Sequence, residues 1–288
     1  MRARPALLEK IRNGASRLSR KQAAVAAFLA EEHQKAAFMT AAELASHLKV
    51  SEATVIRCAA ALGYDGYPAL RRHLHQIVQE DLTSTELFAL PLRRGGREQD
   101  WLRTVVEKEI ENLTRLTKEL PGDDLDRLAR QVVRASKVLV AGFRASASLA
   151  GFLGYHLGKI HEGVVTVTGG AGGAWDQFRS LPAPSLLLAI GFPRYPREIL
   201  ELMDFAREER LFVAALTDSV LSPLAKRADL VLPVRAELVS FVDSYCAPQA
   251  VIAALLIQVS VKNRERTEAL LRRFEEIAER RRLFYAED

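Results

Sequence analysis

At 288 residues, 49% of them apolar, the chain is long enough for two ordinary domains and has the composition of a globular protein. No run of eighteen apolar residues is free of charge, and the first twenty residues mix Arg and Lys with apolar positions, which excludes a membrane span and a signal peptide. The net charge of +5 sits wholly in residues 1–80, where 12 Lys and Arg face 7 Asp and Glu, while the other 208 residues carry 29 of each sign.

A basic segment on a neutral body points to a polyanion partner, with ordinary solvated charge as the alternative. Two distant cysteines, Cys58 and Cys246, fit reduced thiols of a cytoplasmic protein better than a disulfide framework.

In chain order, residues 16–33 carry a helical stripe of Val25, Phe28 and Leu29, with Ser19 as N-cap. A second short helix is predicted from Thr40 to about Leu48, opened by a capping box of Thr40 and Glu43. Lys49 and Val50 make a tight turn, Ser51 caps a third helix ending near Leu62, and Gly63 closes it. A fourth helix begins near Pro68 with Leu70, Leu74, Ile77 and Val78 at helical spacing. Residues 81–100, with Pro91 and Arg93-Arg94-Gly95-Gly96-Arg97, show no sustained apolar period and read as linker.

Helical patterns resume at Trp101 and again from Asp123 to Ala135. Short apolar runs then alternate with helix-compatible segments: Lys137–Ala141, Val164–Thr168, Ser185–Ile190, Leu211–Leu216 and Leu230–Leu232. Continuous apolar runs are what buried parallel strands look like, and the alternation implies βαβ crossovers. The fold expected is an all-α domain over 1–80, a connection over 81–104, and over 105–288 an α/β domain with a flavodoxin-like parallel sheet of about five strands flanked by helices.

Residues 40–57, TAAELASHLKVSEATVIR, meet the needs of a helix-turn-helix. Ala45 is small where two helices cross, Lys49 stands where the turn favours positive φ, and Leu48, Val50 and Val55 lock the second helix. Val55, Ala59 and Leu62 face inward by periodicity, which sets Ser51, Thr54 and Arg57 on the outer face. Hydroxyls and one guanidinium at a helix N-terminus suit phosphate and base-edge contacts. A helical hairpin with a solvated face is the alternative.

The run from Ser51 to Leu74 resembles the signature of RpiR-type regulators, matching at Gly63-Tyr64, Gly66-Tyr67 and Arg71-Arg72. The resemblance implies binding to double-stranded DNA through Ser51, Thr54 and Arg57, with Arg71 and Arg72 either on the DNA backbone or on a solvated face.

Residues 105–270 resemble the SIS (sugar isomerase) domain of the same regulators. After the first strand come Gly142-Phe143-Arg144-Ala145-Ser146-Ala147-Ser148. A glycine turn followed by a helix N-terminus suits an anion. The resemblance implies a phosphate contact by Ser146, with Ser148 beside it, although both also read as capping residues. The phosphate loop after the third strand in such domains reads S-x-S-G-x-T-x-E. Here Gly191, Pro193 and Pro196 replace the hydroxyls and only Glu198 is kept. Arg194-Tyr195 resembles a variant of this loop in a branch of the family. Arg194 and Arg197 then either replace hydroxyls by charge-assisted bonds or lie on a loop that binds little. The Thr217-to-Asp229 stretch reads as structural. Ser244, ahead of a helix of the type such domains place at a dimer interface, is a further ligand candidate.

The six histidines show no metal spacing, the glycines at 169, 170, 172 and 173 lack the Lys and Ser/Thr of a nucleotide loop, and no cofactor is called for. The expectation is a cytoplasmic, non-enzymatic, homodimeric or homotetrameric regulator sensing a small anionic metabolite such as a sugar phosphate. The alternatives are a phosphosugar isomerase, for which Glu198 and Glu237 are the available carboxylates, and a DNA-binding dimer that ignores ligands.

Overall fold

The computed structural model describes residues 3–37, 39–81, 83–92, 100–170, 172, 175, 181–236 and 238–285. Glu237, Gly173 and the Arg93–Arg97 run, all singled out above, lie outside the described residues. The chain divides into two compact units, Met1–Phe88 and Ala89–Asp288.

The first unit is helical: α1 (Ala3–Gly14), α2 (Arg20–Glu31), α3 (His33–Ala37), α4 (Ala41–His47), α5 (Glu52–Ala61) and α6 (Gly66–Asp81), with α7 (Ser84–Leu92) running across the division. Side-chain oxygens set the starts. Ser19 and Gln22 form a capping box on α2, Thr40 and Glu43 form one on α4, and Ser51 Oγ accepts from the Thr54 amide on α5. Leu29, Leu44, Val55, Cys58, Ala59, Leu70, Leu74 and Ile77 are fully buried. The paired glycines and tyrosines are structural. Gly63 and Gly66 hold φ of 78° and 75°, which only glycine adopts without strain, and the buried Tyr67 donates its hydroxyl to the Met39 carbonyl at 2.9 Å. Helix α7 departs from the linker expected there. Its start carries a capping box that the composition hid, with the Thr83 amide donating to Glu86 Oε2 and the Glu86 amide to Thr83 Oγ1.

The second unit opens with α8 (Trp101–Glu119) and α9 (Gly122–Arg134). Then come β1 (Lys137–Gly142), α10 (Ala147–Leu157), β2 (Val164–Val167), β3 (Ser185–Ile190), α11 (Arg197–Glu208), β4 (Phe212–Thr217), β5 (Leu230–Pro233), α12 (Cys246–Lys262) and α13 (Arg264–Arg281). The strands pair in parallel in the order β2-β1-β3-β4-β5. Side chains alternate between two faces. Val138, Val140, Leu186, Leu188 and Ile190 join Leu128, Leu153, Val251 and Leu255 of α9, α10 and α12. Leu139, Leu187, Ala189 and Val213 join Ile199, Leu202 and Met203 of α11. Helices on both faces bury the central strands β1, β3 and β4, as apolar parallel strands require, while the edge strands β2 and β5 are only partly covered. Among the described residues no single helix is long and apolar enough to cross a membrane.

Strand order reverses direction at β1 and β3, which are adjacent, with Gly142 level with Ile190. In a doubly wound sheet the crevice outside the carboxyl ends of two such strands is where ligands bind. The loops 142–147 and 191–197 rise from those ends.

Candidate functional site

On the helical unit, the α4–α5 turn has the geometry a helix-turn-helix needs. Lys49 takes φ 53°, the Val50 amide donates to the Ala45 carbonyl at 2.9 Å, and Ala45 is buried at the crossing. Ser51 and Arg57 are exposed, as the periodicity required. Thr54 is not. It is 6% exposed, and its Oγ1 lies 2.8 Å from Ser51 Oγ. The buried set of Thr54, Val55, Cys58 and Ala59 centres the inner face between the 54/58 and 55/59 lines, which turns Thr54 inward. The outer face of α5 is therefore Glu52, Ala53, Ile56, Arg57 and Ala60, with Ile56 43% exposed. Glu52, Ala53 and Ile56 carry neither a hydroxyl nor a positive charge, the two features by which the sequence marks a face for DNA. Helix α6 corrects a second expectation. Arg71 is half-buried, its Nε donating to the Ala37 carbonyl at 3.3 Å, so it ties α6 to α3, whereas Arg72 is exposed. Cys58 donates its thiol to the Gln22 carbonyl, and burial pushes the thiol up to about 11, so it is inert core.

In the second unit, Gly142 ends β1 because nothing larger fits. A Cβ there would lie 2.6 Å from the Ser146 carbonyl oxygen and 2.9 Å from Ala150 Cβ. The close approach that makes glycine necessary is thus to the following helix. Arg144 then takes φ 54°, a left-handed conformation that costs a non-glycine residue about 1 kcal/mol, and is exposed. Ser146 is 5% exposed and makes no capping bond; its Oγ lies 3.4 Å from the Tyr245 hydroxyl. Ser148 is exposed and donates to the Ala145 carbonyl at 2.8 Å.

After β3, Arg194 and Arg197 are exposed, and Tyr195 is held. Its hydroxyl donates to Asp218 Oδ1 at 2.5 Å, and Thr217 Oγ1 lies 3.1 Å from the same carboxyl oxygen. Burial raises the Asp218 carboxyl above the usual range in spite of those hydrogen bonds. Tyr195 thus latches the β3–α11 loop to the end of β4. Ser222 Oγ accepts from the Ala225 amide, and Asp229 Oδ2 accepts from the Val213 amide, which gives the 217–229 stretch its structural role.

The segment before α12 supplies the remaining wall. The Asp243 carboxyl is half-buried and feels the Arg194 charge. Ser244, expected on the ligand, faces elsewhere: it is 7% exposed, donates to Glu109 Oε2 at 2.8 Å and accepts from Asn112 Nδ2 at 3.0 Å, both on α8. Tyr245, one residue on, takes the place beside Ser146 and stacks at a tilt on Phe192, with ring centroids 5.8 Å apart. No sequence signal marks Tyr245, because its partners come from the loops after β1 and β3. The structure brings Ser146 to Tyr245 and Phe192, sets the Arg194 charge near Asp243 two residues before Tyr245, turns the Tyr195 hydroxyl to Asp218, and turns Ser244 to α8. Two facing hydroxyls with a guanidinium charge nearby suit a small anion with several acceptor oxygens.

Comparison with known proteins gives the same division. Residues 6–81 match the family model of the helix-turn-helix domain of the rpiR family, and residues 131–258 match that of the SIS domain. The HTH-type transcriptional regulator HexR of Pseudomonas aeruginosa is 26% identical over 230 residues, spanning 79% of this chain and 78% of that one. The sugar isomerase domain of an RpiR transcription factor from Sphaerobacter thermophilus superposes with a TM-score of 0.59 at 29% identity, covering 62% of this chain and 99% of that one. Vibrio vulnificus NanR, solved with ManNAc-6P, shares the fold over 94% of this chain and 97% of its own, with a TM-score of 0.58 and 22% identity.

Proposed function

This chain belongs to the RpiR family of DNA-binding transcriptional regulators, a helix-turn-helix domain joined to a SIS domain, and from that premise we propose that its SIS domain senses a phosphorylated sugar or a related small acid and alters operator binding. The observation that carries the reading is the crevice at the ends of β1 and β3, where the buried hydroxyl of Ser146 meets the Tyr245 hydroxyl, whose ring lies against Phe192 of the Arg194 loop. That NanR was solved with a sugar phosphate supports the ligand class. Proline at 193 and 196 removes backbone donors, so guanidinium groups take over anion recognition here.

On DNA, Ser51 and Arg57 meet the duplex together with the outward residues of α5, and Arg72 adds a backbone contact. Residues 1–80 form the DNA-binding domain, 81–104 the connection and 105–288 the sensing and oligomerising domain of a cytoplasmic homodimer or homotetramer. The exposed apolar side chains Leu102, Val106 and Ile110 on α8 and Ile257 and Val261 on α12 support self-association. A sensor and not an isomerase is favoured, because enediol chemistry needs a base poised over the sugar. Glu198 is exposed on the first turn of α11, and among the described residues no side-chain hydrogen bond holds it as a poised base would be held.

The test is a footprint on the DNA upstream of the chain's own gene, titrated with hexose phosphates and small acids. Protection of paired half-sites that changes with at least one phosphorylated sugar is expected. Protection indifferent to the whole panel overturns the sensing role, and turnover of a sugar phosphate by the purified chain overturns the non-enzymatic one.

A further inference from the structure

The three residues ahead of α12 face three different parts of the second unit. Asp243 lies in the field of Arg194 on the β3 loop. Ser244 is bonded to Glu109 and Asn112 of α8. Tyr245 reaches Ser146 on the β1 loop and Phe192 on the β3 loop. Glu109 and Asn112 are three apart, so they share a helix face, and Asn112 is 1% exposed. Ser244 is thus committed to α8 by two hydrogen bonds of ordinary length, the one to Asn112 buried. The contact to Ser146 is the opposite. At 3.4 Å it is long for two hydroxyls, which prefer about 2.7 Å, so it is easily exchanged for a better partner.

We propose that Tyr245 is a ligand-contacting residue, and that Ser244 is the positioning residue that converts ligand binding at Tyr245 into a displacement of α8. The proposal rests on the reading of the crevice as an anion site. An anionic oxygen beside Ser146 accepts from both hydroxyls at once. Burial pushes the Tyr245 phenol up to about 12, so it remains a donor throughout the neutral range. Drawing the Tyr245 ring toward the ligand moves the preceding residue, whose hydroxyl is committed to α8. That helix is the first of its unit in chain order, directly after the stretch that follows the DNA-binding helices. A shift of α8 is therefore handed along the chain toward the regulator's DNA-binding part.

The test uses the full chain, inorganic phosphate as the probe, and hydrogen exchange as the readout. Saturating phosphate is expected to protect residues 142–147 and 191–197 and to change exchange along α8. Tyr245→Phe, which keeps the ring, lowers phosphate affinity about tenfold, the size of one lost hydrogen bond to a charged group. Ser244→Ala affects affinity less, keeps the loop protection and loses the α8 response, and Ser244→Thr restores it. Glu109→Ala serves as the second break in the bridge if Ser244→Ala fails to fold. Wild-type affinity in Tyr245→Phe, or an unchanged α8 response in Ser244→Ala or Glu109→Ala, overturns the proposal. Absence of loop protection in the wild-type chain overturns the anion site itself, a separate and recognisable failure.

Discussion

The surface around α4 and α5 is held by bonds between near neighbours: Ser19 with Gln22, Thr40 with Glu43 and Ser51 with Thr54, each three residues apart. The crevice at the ends of β1 and β3 is held by bonds across the chain: Tyr195 to Asp218 over 23 residues, Ser146 to Tyr245 over 99, and Ser244 to Glu109 over 135. Local bonds fix which way a recognition helix starts and turns, and they form with the helix itself. Long-range bonds fix how loops face each other, and they exist only once the sheet is assembled. The first kind gives a rigid reading head; the second gives a site whose walls can shift when one partner is exchanged for a ligand.

The strongest break falls on the crevice. Gly142→Val places a branched side chain where even a Cβ meets the Ser146 carbonyl at 2.6 Å. Overpacking of that kind costs about 3 kcal/mol, and it forces the β1 loop away from α10. Denaturant unfolding should show a lowered midpoint at unchanged slope, with phosphate protection of the crevice lost. Wild-type stability would mean that the loop relaxes freely and is not braced by the helix.

Next comes the reading head. Arg57→Ala removes the one cation pointing outward from the middle of α5. Loss of a base-edge contact costs about 2 kcal/mol, roughly thirtyfold in operator affinity, and relaxes specificity at one base position. Loss of a phosphate contact instead lowers affinity on every sequence and reduces the salt slope by about one. Fluorescence anisotropy on operator and random duplex at several salt concentrations separates the two, and no effect on either duplex removes α5 from the interface.

The same contrast explains what was legible in the sequence. Strands Ser185–Ile190 and Lys137–Gly142, the caps at Ser19, Thr40 and Ser51, and the positive φ of Lys49 follow from composition and spacing over a few residues. Thr54 was misplaced even within a helix, because residues 55, 59 and 62 alone leave the edge of the buried face undefined and a hydroxyl reads as polar whether or not Ser51 satisfies it. Helix α7 hid behind Pro91, although its Thr83–Glu86 capping box was there to be read. Tyr245 and the inward turn of Ser244 had no local sign at all. Each is decided by a side chain roughly a hundred or more positions away, as the crossover topology of a parallel sheet brings it about.

The Tyr195–Asp218 latch tests the long-range side more gently. Tyr195→Phe strands a carboxylate that burial already disfavours, at a cost of about 1.5 kcal/mol. Asp218→Asn keeps an oxygen for the tyrosine and removes the charge. Because burial raises the folded-state value of the Asp218 carboxyl, its protonated form is the one the fold favours. Its contribution to stability is present in acid and is lost as pH rises through the folded value. Asp218→Asn should therefore be neutral or slightly stabilising at pH 7, with a flatter stability profile from acid to neutral. Equal losses in the two variants would show that the charge itself holds the loop.

The smallest effect tests the local side. Lys49 pays a left-handed penalty of about 1 kcal/mol that glycine does not, while glycine loses somewhat more freedom on folding, so Lys49→Gly should stabilise the helical unit by about 0.5 kcal/mol. It also removes an exposed cation two residues before the cap of α5. If the turn rests on the DNA backbone, the stabilised variant binds operator and random duplex more weakly at low salt, and its salt slope falls by about one. Stability and affinity then move in opposite directions, the signature of a residue kept for contact at the expense of the turn. A variant that gains stability and keeps its full salt slope places Lys49 in solvent and leaves the phosphate contacts to α5 and Arg72.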